Sequence, residues 1–260
     1  MQTQLNNLKR NPRAHLADGV TPIQRARQKR DLILEWIYAW HTTAAPIVAG
    51  LLGTTESNYL KELERQGYLT SFAAPTLLCG RAYLLTRDGV NYAAASLGIE
   101  LPYSIYPSSV SHALLKHNLA AQRACLPAHA DGAKIIPGRL LAAASGHKVP
   151  DALLERNGSA YALELELSGK WGDELEQTLC RLIEHMPNWK GVIYVSNSKA
   201  LLDRYEARLN LPIAKWWVHK EVGRPNKWCS GMAEKISPDV RAKFIFRCDT
   251  DLLKGFERLK

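Results

Sequence analysis

Apolar residues in the first third of the chain recur at the spacing of helix faces. Four of them share one face of a predicted amphipathic helix over residues 28–40: Ile33, Trp36, Ile37 and Trp40. A second, short helix is expected at about residues 44–52. A third begins with Thr54 or Thr55 as N-cap and ends at Gly67, which can adopt the left-handed conformation that helix ends favour.

Two short β-like runs follow, at residues 68–72 and 82–85, and then a helix capped by Thr86. Three helices with tight turns and a hairpin are typical of a winged helix-turn-helix, whose third helix enters the DNA major groove while the hairpin contacts backbone. The expected DNA contacts lie on that helix and hairpin: Ser57, Asn58, Lys61, Arg65 and Arg81. The alternative is a compact helical domain for protein contacts, since polar residues on a helix face are often only solvated.

From Ser109 onward the pattern predicts a helix, three strands, a helix, a strand and a helix. Residues 191–195 are apolar without alternation, which is typical of a strand covered on both faces. We therefore predict an α/β (α+β) fold in which a winged helix-turn-helix precedes a mixed sheet flanked by helices. The predicted organisation is a basic leader, a DNA-binding domain, a linker and a second domain, at residues 1–24, 25–98, 99–108 and 109–260.

Asn157-Gly158 is a strong hairpin signal, because a type I′ turn needs a positive φ at both central residues. A two-residue turn there fixes the register of the flanking strands and places Asp151 opposite Glu164. Side chains alternate along a strand, so Glu166 shares the face of Glu164. Like charges directly opposite each other destabilise a sheet, and we therefore expect a cation among the three carboxylates. Hard oxygen ligands favour Mg²⁺ or Mn²⁺.

The alternative is that Glu164 and Glu166 lie on the solvent face of an edge hairpin, with Lys148 and Lys170 balancing their charge. A functional site is favoured by a combination of features. Pro-Asp lies on one strand, Glu-x-Glu on its partner and Lys170 just beyond, downstream of a predicted DNA-binding domain.

The composition fits a globular protein that binds an anion. The 260 residues are 46% hydrophobic and carry a net charge of +9. The longest apolar stretches are far shorter than a bilayer span, and the polar, basic N-terminus has no export signal, so a cytoplasmic protein is expected. Five cysteines without a C-x-x-C pair argue against a disulfide framework and a zinc site.

The order of motifs resembles the core of the PD-(D/E)xK nuclease superfamily. The match consists of Pro150-Asp151, the Asn-Gly hairpin and the run from Glu164 to Lys170. A winged helix before such a core is similar to the replication-relaxation family of plasmids and mobile elements, including MOBC-class mobilisation relaxases. Three further features match: Tyr83-Leu-Leu-Thr86-x-x-Gly89, His117-Asn118 and Gly191-Val-Ile-Tyr-Val. The resemblance covers about residues 28–209.

The resemblance implies a restriction-endonuclease-like second domain and a divalent-metal-dependent DNA endonuclease. Asp151 and Glu164 are the implied ligands of Mg²⁺ or Mn²⁺. The position of the superfamily's lysine is Glu166 here, so we expect Glu166 as a third ligand and Lys170 as the cationic group both to contribute. The resemblance places the helix of His117 beside the active strands, which implies that His117 is a catalytic-site residue, as a metal ligand or as a support for one. The alternative is a core residue, the more common role of a lone histidine on an apolar stripe.

The expected function is nicking of one strand of double-stranded DNA, at an origin of transfer or a similar site, to start mobilisation or replication. A coupling protein and accessory mobilisation proteins are partners implied by the resemblance alone. The attacking group is open: a water, or a tyrosine among Tyr103, Tyr106 and Tyr161. One alternative is a non-catalytic DNA-binding accessory or replication factor with a degenerate core. Another is a repressor with a ligand-sensing α/β domain, which three clustered carboxylates disfavour.

Overall fold

The computed structural model describes residues 21–54, 58–74, 77, 80–145, 149–219 and 227–254. Its helices are α1 Pro22–Trp40, α2 Ala45–Leu51, α3 Tyr59–Arg65, α4 Arg87–Leu97, α5 His112–Ala130, α6 Gly138–Ser145, α7 Gly172–His185, α8 Lys199–Leu209 and α9 Pro238–Arg241. Its strands are β1 Leu69–Ala73, β2 Arg81–Leu85, β3 Lys134–Pro137, β4 Ala152–Arg156, β5 Ser159–Leu165, β6 Gly191–Ser196, β7 Ile213–His219, β8 Lys227–Glu234 and β9 Phe244–Cys248. Within these residues, no helix is both long and apolar enough to cross a bilayer.

The N-terminal part consists of three helices, the antiparallel β1–β2 hairpin and α4, in the predicted order. Helix α1 begins at Pro22, earlier than predicted, because Thr21 caps it. The Thr21 hydroxyl accepts from the Gln24 N–H at 3.2 Å, and the Gln24 side chain accepts from the Thr21 N–H at 2.9 Å. This reciprocal pair satisfies two backbone donors that a helix start leaves open.

Helix α3 begins at Tyr59 with Asn58 as its N-cap residue, so the predicted start at Thr54 or Thr55 is wrong. Thr54 closes the preceding turn instead, because its backbone N–H donates to the Ala49 carbonyl at 2.8 Å. Helix α3 is consequently only two turns long.

A five-stranded mixed sheet forms the centre of the C-terminal part, in the order β3-β4-β5-β6-β9. Strands β3, β4 and β5 pair antiparallel, and β6 is parallel to both β5 and β9. Helix α5 packs against Leu163 and Leu165 on one face, and α7 and α8 pack against Ala162 and Tyr194 on the other. The mixed α/β class is therefore confirmed.

The register of the β4–β5 hairpin is confirmed. Asn157 and Gly158 have φ values of 50° and 71°, and each pair of the ladder has the predicted partners. The ladder is shorter than predicted, however, since β4 begins at Ala152 and β5 ends at Leu165. Asp151 lies just outside it, where strand alternation no longer determines which face a side chain takes.

Residues from both halves of the chain share one hydrophobic cluster, which includes Trp36 on α1 and Leu119 on α5. Buried Gln122 joins the two halves. Its side-chain oxygen accepts from Trp36 Nε1 at 2.8 Å and Thr43 Oγ1 at 3.0 Å, and its amide donates to the Thr42 carbonyl at 2.8 Å. These bonds fix α5 against the N-terminal helices, while the predicted domain boundaries stay a prediction.

Candidate active site

Asp151 lies in the turn before β4, and both of its carboxylate oxygens are engaged. Oδ1 is 3.0 Å from His117 Nε2 on α5, and Oδ2 accepts from the Leu165 backbone N–H at 2.8 Å. The start of α6 holds this turn, because the Gly138 N–H donates to the Asp151 carbonyl at 2.7 Å. A Cβ on Gly138 would lie 2.3 Å from the Pro150 carbonyl oxygen, so this close approach requires glycine.

Glu166 is buried, with 4% of its surface exposed. Its carboxylate forms an ion pair with Lys170 Nζ and accepts a hydrogen bond from the Tyr205 hydroxyl on α8 at 2.6 Å. Burial raises the pKa of Tyr205, and the bond to Glu166 raises it further, so the phenol stays a donor. Lys170 thus turns back to the sheet and neutralises Glu166.

Glu164 lines a small cavity of about 20 Å³ between the sheet and α7. In the parallel pairing of β5 with β6 its partner is Tyr194, whose buried hydroxyl has no hydrogen-bond partner among the described residues. Burial raises the pKa of Tyr194, and the negative charges of Glu164, Glu166 and Asp151 add to this rise. The charges of all three predicted carboxylates therefore act on one buried hydroxyl, and Glu164 is its direct neighbour across the strand pair.

The carboxylates do not form the single row that alternation predicted. Glu164 and Glu166 belong to the sheet face under α7 and α8, whereas the Asp151 carboxylate lies at the end of β5, between the Leu165 N–H and His117 on α5. In the described part of the chain, no group of three or more His, Cys, Asp or Glu side chains is arranged to hold a metal ion. Each carboxylate instead has an interaction partner of its own.

His117 is 33% exposed in its side chain, on a helix that buries Leu115 and Leu119. Burial lowers the pKa of His117, but the hydrogen bond and charge of Asp151 outweigh it, and the pKa lies above its ordinary value of 6.5. The imidazole therefore does not simply fill the core. It positions the Asp151 carboxylate.

A cleft of about 840 Å³ opens beside Asp151, between the N-terminal part and the start of α6. Its polar lining includes His41, Asn118 and Arg139. The Arg139 guanidinium donates to two backbone carbonyls of the N-terminal part and lies 5.1 Å from the centre of the Tyr103 ring. The lining of the cleft thus carries both a cationic side chain, Arg139, and an acidic one, Asp151.

The three candidate tyrosines differ in accessibility. The Tyr103 hydroxyl donates to the His41 carbonyl at 2.6 Å and accepts from the Leu85 N–H at 3.0 Å, and burial raises its pKa. Tyr161 packs against the hydrophobic cluster under α5. Tyr106 is 65% exposed. Of the three, Tyr106 is exposed, while Tyr103 and Tyr161 are half-buried.

The predicted DNA contacts fall on the surface of α3 and the hairpin. Asn58 and Lys61 are exposed. Arg65 is exposed too, but it forms a two-pronged bond to Glu62, with Nε and Nη2 at 2.9 and 2.7 Å from the carboxylate oxygens. Arg81 is exposed at the start of β2. Ser57 lies outside the described residues.

Sequence reasoning missed Tyr194, Tyr205 and Arg139. Two weak signals existed: Tyr194 interrupts an apolar strand that pairs with β5, and Tyr205 lies on the apolar face of α8. Neither signal indicates which side chain the tyrosine hydroxyl contacts. Arg139 carried no signal, because its partners are distant in sequence.

No family model, curated protein or solved structure matches this chain. The resemblance to the replication-relaxation family therefore stays a prediction, and the functional argument depends on the geometry described above.

His41, in the lining of the cleft, makes the stability of the fold depend on pH. Burial lowers the pKa of His41 more than its bond to the Ser104 carbonyl raises it, and the charge of Arg139 lowers it as well. The unfolded chain therefore binds the extra proton first, and stability is lost as the pH falls below about 6.5. Asparagine tolerates the φ of 73° at this position, so His41→Asn is a suitable variant. As the pH falls from about 7.5 to about 5.5, the free energy of unfolding should decrease less in His41→Asn than in wild type. Equal losses in urea denaturation would contradict this.

Proposed function

We propose that this protein binds double-stranded DNA and nicks one strand by metal-dependent phosphodiester cleavage. The observation that carries the proposal is geometric: the Asp151 carboxylate accepts a hydrogen bond from the N–H of Leu165, the residue between Glu164 and Glu166, and Asp151 lines a large cleft. Several ionisable groups that lie partly buried beside a cleft are typical of functional sites. The resemblance to mobilisation relaxases supports a role in starting the transfer or replication of a plasmid or mobile element.

The donor chemistry fits Mg²⁺ or Mn²⁺. These ions favour oxygen ligands, and Mg²⁺ commonly takes one or two carboxylates and completes its shell with waters and substrate phosphates, so a cage of three protein ligands is not required. The Tyr194 hydroxyl, buried beside Glu164 and without a hydrogen-bond partner among the described residues, is a polar group that the fold leaves unsatisfied there. We assign Asp151 and Glu164 as the ligands, since Glu166 is bound by Lys170 and Tyr205. The bound ion supplies Lewis-acid polarisation of the scissile phosphate.

The side chains around the ligands have separate tasks. His117 Nε2 and the Leu165 N–H fix the two oxygens of Asp151. Glu166, which is itself fixed by the Tyr205 hydroxyl, holds the Lys170 ammonium at the end of β5, where positive charge offsets the charge that accumulates on a phosphodiester during cleavage. These contacts preorganise the site before substrate binds.

Docking on duplex is assigned to α3 and the hairpin, through Asn58, Lys61, Arg65 and Arg81. We expect Lys61→Ala to weaken binding of any duplex sequence and to reduce the slope of log K against log salt by about 1, as loss of one phosphate contact does. Lys199→Ala, an exposed lysine on α8, is the matched control and should leave the slope unchanged. Anisotropy titrations at several salt concentrations measure both, and equal slopes for Lys61→Ala and wild type would remove α3 from the interface.

A nicking assay on supercoiled plasmid tests the proposed function. The substrate carries the DNA that flanks the gene, and wild-type protein is incubated with Mg²⁺ or Mn²⁺. We expect open-circular product, and none after addition of a chelator. Product that persists in chelator excludes metal dependence.

The second candidate is a non-catalytic DNA-binding accessory factor. It is favoured by one observation: the carboxylates are individually engaged, with no three-ligand group among the described residues. It predicts specific duplex binding without nicking under any metal, and indifference of that binding to Glu164→Gln.

A further inference from the structure

Two pairs of sequence neighbours lie near Glu166: Lys170 with Trp171, and Arg204 with Tyr205. One residue of each pair contacts Glu166, and the other does not. Lys170 and Tyr205 turn inward to the Glu166 carboxylate. Their sequence neighbours, Trp171 and Arg204, face away from it and stack on each other, with the Arg204 Cζ 3.5 Å from the centre of the indole ring. A cation–aromatic pair therefore lies directly beside the candidate active site.

This pair is presented to solvent. Trp171 is 69% exposed, although it is large and apolar, and it immediately precedes α7. Arg204 covers one face of the indole, and the rest of the ring surface is what solvent reaches. Arg204 is half-buried: its Nη1 is shielded from solvent and has no hydrogen-bond partner among the described residues.

Gly169 allows this arrangement. A Cβ at that position would lie 3.0 Å from Arg204 Nη1 and 3.0 Å from Leu201 Cδ2, so a larger residue would displace the guanidinium. The chain thus lets Arg204 lie against the loop that carries Lys170 and Trp171.

A flat, exposed indole held by a guanidinium is the chemistry that recognises an unpaired base. Every nucleobase has a π face that stacks on aromatic rings without sequence preference, and arginine contributes charge for the adjoining phosphate. The net charge of +9 agrees with a polyanionic partner. We propose that Trp171 and Arg204 form a stacking site for an unpaired nucleotide that flanks the phosphate to be cut. This inference rests on the proposed function for the position of the nucleotide, but its binding test needs no cleavage.

The test measures binding of labelled single-stranded oligonucleotides of about 20 nucleotides by anisotropy, in chelator. We expect Trp171→Ala to weaken binding about tenfold, Trp171→Phe to retain most of the affinity, and Arg204→Ala to weaken binding as well. The control is Met232→Ala, which removes another exposed apolar side chain, on β8, and should bind like wild type. Thermal melting establishes that each variant is folded.

Abasic substitutions identify the stacked base. A scan of one abasic nucleotide along the oligonucleotide should find a position that weakens wild-type binding and has no further effect in Trp171→Ala. Coupled losses of this kind, without nicking of plasmid, would support the stacking site and remove the cleavage proposal. Nicking together with equal oligonucleotide affinities of wild type and Trp171→Ala would overturn the stacking site and leave the cleavage proposal intact.

Discussion

Asp151→Asn protein is expected to bind its duplex site as wild type does and to nick it at least about 100-fold more slowly, the scale on which preorganised charge contributes to catalysis. The substitution preserves size but removes the charge. Asp151 accepts hydrogen bonds from the Leu165 N–H and, whenever His117 carries a proton on Nε2, from that nitrogen. An amide has one accepting oxygen, so one of these donors would then face an NH₂ group.

The matched control is Asp131→Asn, at the exposed C-terminal end of α5. It removes the same charge from the same part of the fold and should nick as wild type does. Nicking rates of supercoiled plasmid and anisotropy on the same preparations separate chemistry from binding. If Asp151→Asn nicks at the wild-type rate, Asp151 has no part in cleavage.

Glu166→Gln and Lys170→Met should each destabilise the fold by about 3 kcal/mol or more, because either change leaves a buried partner with an uncompensated charge. The side chains of the pair are only 6% and 19% exposed. The double variant should lose clearly less than the sum of the single losses, since no unpaired charge remains. Urea denaturation near pH 7 measures the free energies of unfolding.

The control pair is Lys199–Asp203, which has the same i, i+4 spacing but is exposed at both side chains. Its single substitutions should cost at most about 1 kcal/mol, the usual value of a surface ion pair. If the Glu166–Lys170 losses are as small as those of the control pair and add up in the double variant, Lys170 is not held at the sheet edge by Glu166.

The hairpin register was predictable because the chemistry that sets it is local. Asn157 and Gly158 both need a positive φ, and a two-residue turn leaves one register for the flanking strands. The α/β class followed from apolar periodicity for the same reason. The sequence could not indicate where pairing ends, and the loss of the ladder beyond Ala152 is what turns Asp151 to α5.

The contacts that assemble the candidate site join residues far apart in sequence. His117 precedes Asp151 by 34 positions, and Tyr205 follows Glu166 by 39. No local pattern encodes contacts between residues so far apart in sequence. These contacts depend on how α5 and α8 pack on opposite faces of the sheet. Strand β9 was missed for a related reason: Phe244–Cys248 pairs in parallel with β6 across a long connection.

Manganese binding tests the central claim most directly, because Asp151 and Glu164 are proposed to hold a divalent ion at the sheet edge. Electron paramagnetic resonance follows the signal of free Mn²⁺ as protein is added, with and without duplex. Wild type should remove the signal, most strongly with DNA present, and Asp151→Asn and Glu164→Gln should each weaken binding by about tenfold or more. Equal Mn²⁺ affinity in all three proteins, or no Mn²⁺ binding by wild type even with DNA, would contradict the account.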